Sequence, residues 1–283
     1  MLQVAAVEVA LMIFKTKEFL INMIKTITTK KTQTFNFLEW NNNILISSVK
    51  KINLNIILIV ILDILFYLSS GFLITFWLQR IQAKMAAFNL PTDIISLGPK
   101  KAQQLLSDVR AFYFLSVFSF IFLLIAIIFL ASIFKGIIWA KTTNSKINFA
   151  LISKFFGLNL IWMGFWFLLI ILISLFIQPT TSPIFMISSI ILGLYFTNTL
   201  YTIFMKKPKF SSILDAIKLN IAKIHLFLLP YAIIYFIFYI ILKLTSFIKF
   251  KYSTILLVLV MVVYASIVRY YISTLVLEIE GTK

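Results

Sequence analysis

Long apolar runs separated by lysine-bearing segments dominate this chain. Six runs reach the length of a membrane span: about Ile56 to Trp77, Phe112 to Phe134, Phe155 to Ile177, Ile184 to Phe204, Leu226 to Leu242 and Thr254 to Val276. A helix rising 1.5 Å per residue needs about 20 apolar residues to cross ~30 Å of hydrocarbon. The runs lack the period-two alternation of barrel strands, so every backbone polar group must find its partner inside a helix. The pattern predicts an all-α polytopic integral membrane bundle of six transmembrane helices occupying residues 52–283.

Shorter amphipathic stretches flank the runs. Residues 1–51 read as a basic amphipathic N-terminal interfacial region, in which Phe19, Met23 and Ile27 recur at spacing four beside Lys17, Glu18 and Lys25. The opening MLQVAAVEVALMIF has no positive n-region and carries Glu8, which argues against a signal peptide. Ser212 and Asp215 resemble a capping box ahead of an apolar stripe, Ile213, Ile217, Ile221 and Ile224, with Lys218, Asn220 and Lys223 off it. That pattern predicts a short helix on the inner interface, ending at Pro230. Ile147, Leu151 and Phe155 repeat the idea beside Lys146 and Lys154, as do Leu45, Val49 and Ile52 beside Lys50 and Lys51. One interfacial helix plus a two-helix hairpin would then occur three times. An external amphipathic loop, 80–110, is split by Asn89-Leu90-Pro91 into two short helices resting on the outer leaflet or capping the bundle. Their apolar faces are Ile81, Met85 and Phe88, then Leu105, Leu106 and Val109.

Composition sharpens this picture. Hydrophobic residues make up 61% of the 283 and charged residues 12%, with a mean hydropathy of +1.04; a soluble domain carries roughly 45–50% and 25%. With no cysteine and His225 as the one histidine, disulfides, thiolate metal sites and the HExxH arrangement are excluded. The glycines form no GxGxxG, GxxxxGK or GxSxG, so nothing points to a cofactor or a nucleotide. The net charge of +17 sits between apolar runs, where lysines meet anionic headgroups rather than nucleic acid. Membrane lipids with anionic headgroups at the cytoplasmic face, and a membrane protein partner, are the expected associations.

Lysine bias sets the expected orientation in the cell membrane, with both termini cytoplasmic. The segments before the first run, between the second and third, and between the fourth and fifth hold most of the lysines. The turn Gln178 to Pro183 holds none. Arg80, Lys84, Lys100, Lys101 and Arg110 pull the other way.

The series Ser212, Asp215, Ala216 and Lys218, followed by a long apolar helix, resembles the lead-in segments of the polytopic membrane-domain family sometimes fused to glycerophosphodiester phosphodiesterases, and of related uncharacterised membrane families. The resemblance covers the last third of the chain well and the middle third poorly. It implies a helical membrane module, not that activity.

Ionisable residues inside apolar runs cost roughly 2.5–3.5 kcal/mol on insertion, so Asp63 and Arg269 are the leading candidates. Both lie roughly 10 Å from the cytoplasmic ends of their runs, close enough in depth to pair. The plainer reading of Arg269 is that it snorkels to the headgroups beside Tyr270 and Tyr271. His225 opens the fifth run as an interface residue or a proton relay. Asn159, Asn198 and Gln178 read as interhelical hydrogen-bonders. Ser189, Gly193 and Thr197 form a stripe for close helix approach, and Gly157 and Gly164 share a face. Trp40, Trp77 and Trp139 read as interface anchors. A non-enzymatic membrane module associating with lipids or a partner protein is the expected function. A transporter or channel for a small solute, using Asp63, Arg269 and Pro230, is the alternative. A lipid-modifying enzyme would need Asp215, Lys223 and His225 together.

Overall fold

A computed structural model describes residues 37–87, 98–247 and 253–281. Residues 1–36, including the Phe19, Met23 and Ile27 stripe, lie outside that range, as do Phe88 and Asn89-Leu90-Pro91. Among the described residues the chain forms eight helices and no strand. They are α1 (Phe37–Lys51), α2 (Asn55–Ala87), α3 (Gly98–Thr142), α4 (Phe149–Phe176), α5 (Ser182–Lys206), α6 (Ser212–Ala222), α7 (Ile224–Ser246) and α8 (Ser253–Gly281). Six of these, α2 to α5, α7 and α8, are long and apolar enough to cross a membrane, so the protein is a polytopic helical membrane bundle.

Local chemistry explains the helix ends. At the end of α3, Asn144 adopts a left-handed conformation (φ 55°) and the Ser145 amide donates back to Ala140 O at 2.8 Å. That reversal satisfies an orphan carbonyl and stops the helix. Four residues on, Asn148 Oδ1 accepts from the Leu151 amide at 2.7 Å and starts α4. Ser145 Oγ donates to Met205 O, tying this turn to α5.

Helix α8 is the hub, touching α1, α2, α3, α5 and α7. From Arg269 to Val276 every residue is buried, so these two turns are covered on all sides, as in the core of a large protein. Around them gather Ile44 of α1, Trp139 of α3, Phe155 and Leu158 of α4, Leu200 to Met205 of α5, Ala216 of α6 and Phe227 of α7. Dense packing is thus concentrated at one end. Toward the other end the helices carry large exposed apolar side chains, among them Phe72, Phe76, Phe118, Phe122, Leu175 and Ile187. Those outer walls suit acyl chains, which solvate them without cost.

The structure corrects five expectations. Among the described residues of 80–110 no short helix stands apart from the spans: α2 runs unbroken to Ala87 and α3 starts at Gly98, so both described segments prolong spanning helices. The threefold unit fails in its middle copy, because Asn148 caps α4 directly and no interfacial helix intervenes. The short helix α6 ends at Ala222 rather than Pro230, and it packs along α5. Its Ser212 Oγ donates to Lys207 O and its Asn220 Oδ1 accepts from Thr199 Oγ1. No capping box forms there: Ser211 is the N-cap, without a side-chain bond. Finally, Trp139 anchors no interface. It is buried edge-on to Tyr201 at 5.7 Å between ring centroids.

Candidate functional site

Asp63, on the third turn of α2, is only 1% exposed and accepts two cations. Arg269 Nη1 of α8 donates to Oδ2 at 2.9 Å, and Lys135 Nζ of α3 donates to Oδ1 at 2.5 Å. The side chains of Arg269 and Lys135 are 9% and 17% exposed. One carboxylate therefore closes the three-helix junction of α2, α3 and α8. The ammonium also lies over the rings of Phe66 and Tyr67, at 4.8 and 5.0 Å from their centroids, a cation–π arrangement that partly replaces water around the charge.

Arg269 thus pairs with Asp63 rather than snorkelling to headgroups. Lys135 is the residue that reading the sequence missed. It ends the apolar run Phe112 to Phe134 and so counts as a loop lysine, yet α3 continues to Thr142. The signal was present: Ile137, Ile138, Trp139 and Ala140 follow it, and an apolar stretch resuming after one Lys-Gly pair marks a charge within a helix rather than beyond it.

His225 makes none of these bonds and is exposed at the second position of α7. Among the described residues no hydrogen bond or ion pair links Asp215, Lys223 and His225, and no group of three or more metal-ligating side chains comes together. Pro230 lies buried inside α7, and the helix runs through it.

A second polar cluster ties the middle helices together. Asn159 Nδ2 of α4 donates to Ser132 Oγ of α3 at 2.9 Å, and Tyr201 Oη of α5 donates to Asn159 Oδ1 at 2.5 Å. All three side chains are buried, so each bond spares a polar group from facing hydrocarbon. The small-residue stripe of α5 behaves as its spacing implies. Trp162 Nε1 donates to Thr197 Oγ1 at 2.8 Å, and a Cβ on Gly193 would sit 3.4 Å from the Trp166 ring. Gly157 faces Phe210, whereas a Cβ on Gly164 would meet nothing within 4 Å.

The ends of the helices define two chemically different poles. Lys51 Nζ reaches Thr274 Oγ1 at 3.4 Å, and Lys206 and Lys207 bracket Glu280 at 3.3 and 3.1 Å. These contacts bring the C-termini of α1, α5 and α8 to one pole, together with the turn after α3. Lys50, Lys141, Lys146, Lys154 and Lys209 belong to the same pole. At the opposite pole the turn between α4 and α5 carries no charge, while the ends of α2 and α3 there carry Arg80, Lys84, Lys100, Lys101 and Arg110. No protein-family model, curated protein or solved structure matches this chain.

Proposed function

We propose that this protein is a non-enzymatic module of the cell membrane, oriented with its lysine-rich pole in the cytoplasm, that associates with anionic phospholipids of the facing leaflet. The observation that carries the reading is the gathering of lysines around the densely packed pole, where they outnumber the basic residues at the opposite ends of α2 and α3. Each lysine near an anionic surface contributes about 1 kcal/mol of attraction, and the positive-inside bias gives the same orientation. The likeness of the α6 segment to phosphodiesterase-associated membrane domains is in keeping with a module of this kind.

The test is native mass spectrometry of the protein released from bilayers of equal phosphatidylglycerol and phosphatidylcholine. Retention of phosphatidylglycerol in excess is the expected result; equal retention of both lipids overturns the reading. A second polypeptide that co-purifies in fixed proportion would replace the lipid by a protein partner. The charges of Asp63, Arg269 and Lys135 within the bundle favour one other reading, a solute pathway. That alternative requires a flux into proteoliposomes that Asp63→Asn abolishes.

A further inference from the structure

The centre at Asp63 holds two cations and one carboxylate, and its surplus charge sits on the partner that reaches the surface. Both oxygens of Asp63 are taken, one by each cation. An ammonium has three N–H donors, and Lys135 gives one of them to Asp63. An uncompensated charge in a low-dielectric setting is costly, and an approaching anion removes that cost. Arg269 is the better shielded of the two and forms the inner pair with Asp63; Lys135 lies at the edge, beside the exposed ring of Tyr67.

What lies next to that edge narrows the anion to one with hydrocarbon attached. Lys135 stands at the depth of Asp63, about two turns inside the end of α3, so an anion reaching it must carry its hydrocarbon into the acyl layer. Leading away from Tyr67 along α2, the exposed positions Gly71, Ile74 and Leu78 follow at helical spacing and form one outward stripe. From Tyr67 to Leu78 the stripe is about 16 Å long, matching half of a ~30 Å hydrocarbon core. A Cβ on Gly71 would meet nothing within 4 Å, so the stripe has a shallow notch one turn from the ammonium. A groove of about 550 Å³ between α2 and α3 runs beside this stripe, lined by Leu68, Phe72, Phe129 and Leu130; neither Lys135 nor Arg269 lines it.

We infer that Lys135 seats the phosphate of an anionic phospholipid, with one acyl chain lying along Tyr67, Gly71, Ile74 and Leu78. The inference rests on the anionic-lipid reading above and assigns it to one site. In this arrangement Asp63 and Arg269 form the fixed neutral pair, while the ammonium of Lys135 is shared between Asp63 and the lipid.

The experiment compares wild type, Lys135→Met, Lys135→Arg and, as a control at the other pole, Lys84→Met in the same mixed bilayers. Lys135→Met is expected to lose about tenfold of the preference for phosphatidylglycerol, the worth of one charge-assisted hydrogen bond. Lys135→Arg and Lys84→Met are expected to keep it. A preference unchanged in Lys135→Met overturns the seat and leaves the general reading standing; no preference in wild type overturns both. Photocrosslinking of wild type with a phosphatidylglycerol bearing a headgroup diazirine needs no variant. Crosslinks to the peptides containing Tyr67 or Lys135 support the seat, and crosslinks only elsewhere overturn it. Millimolar inorganic phosphate is expected to leave the lipid in place; displacement by it would make the site one for free phosphate and overturn the lipid assignment.

Discussion

Replacing Asp63 by Asn removes the one negative charge that Arg269 and Lys135 share and leaves two cations facing each other inside the bundle. Breaking a buried pair in this way costs about 3–5 kcal/mol, because the remaining charge has no partner. Lys135→Met and Arg269→Leu each leave a neutral pair behind, so both are expected to cost less. Thermal unfolding in detergent should therefore rank Asp63→Asn as the most damaging of the three. A Lys135→Met protein as unstable as Asp63→Asn would show that the charges do not balance as described. Combining Asp63→Arg with Arg269→Asp should restore more folded protein than either single change. Tyr201→Phe is a smaller case: it leaves Asn159 Oδ1 buried without a donor, at about 1–3 kcal/mol, and should lower the same transition less than Asp63→Asn does. Asp63 and Arg269 were legible as a possible pair because charges inside long apolar runs stand out. Lys135 was not, because its place depends on where α3 stops, and Asn144 and Ser145 decide that some ten residues later.

Between elements, close approach is confined to a few positions, and glycine substitutions separate them from the rest. A Cβ on Gly136 of α3 would lie 3.3 Å from the Phe155 ring of α4, and that ring is itself fixed against Tyr201 and Phe204. Gly136→Val must push the two helices apart, and overpacking of this kind costs about 1–3 kcal/mol. Gly71→Ala and Gly164→Ala meet open space, and exchanging Gly for Ala in a helix gains up to about 1 kcal/mol. Melting temperatures should fall for the first variant and hold or rise for the other two; a fall at Gly164 equal to that at Gly136 would mean α4 packs on a face other than the one described. The existence of all six spanning helices was legible from run length alone. The role of α6 was not. Its periodicity marks an amphipathic helix, but which face is covered depends on Thr199 and the Lys207 carbonyl of α5, groups that local pattern does not bring together. The threefold unit was misread for a similar reason. A basic, loosely amphipathic stretch before a span looks the same whether it forms its own helix, as α1 does, or simply starts the span, as at Asn148.

At the scale of the whole molecule, length and charge together fix how the bundle can sit in a bilayer. Helix α3, with 45 residues, is about 67 Å long, well beyond the ~40–45 Å of a full bilayer, so it must project from the membrane. Its C-terminal end belongs to the lysine-rich pole, and its partner α2 extends with it at the other end. The orientation can be read directly because the chain has no cysteine, so a single introduced thiol reports one place. Thr180 in the uncharged turn and Lys209 at the lysine-rich pole are both exposed. With a membrane-impermeant thiol reagent on intact cells, Thr180→Cys should label at once. Lys209→Cys should label only after the cells are opened. The opposite pattern would invert the orientation and move the lysine-rich pole away from the anionic leaflet, removing the electrostatic basis for lipid association. Labelling of both from outside would contradict the odd number of crossings between the two positions, since α5 alone separates them.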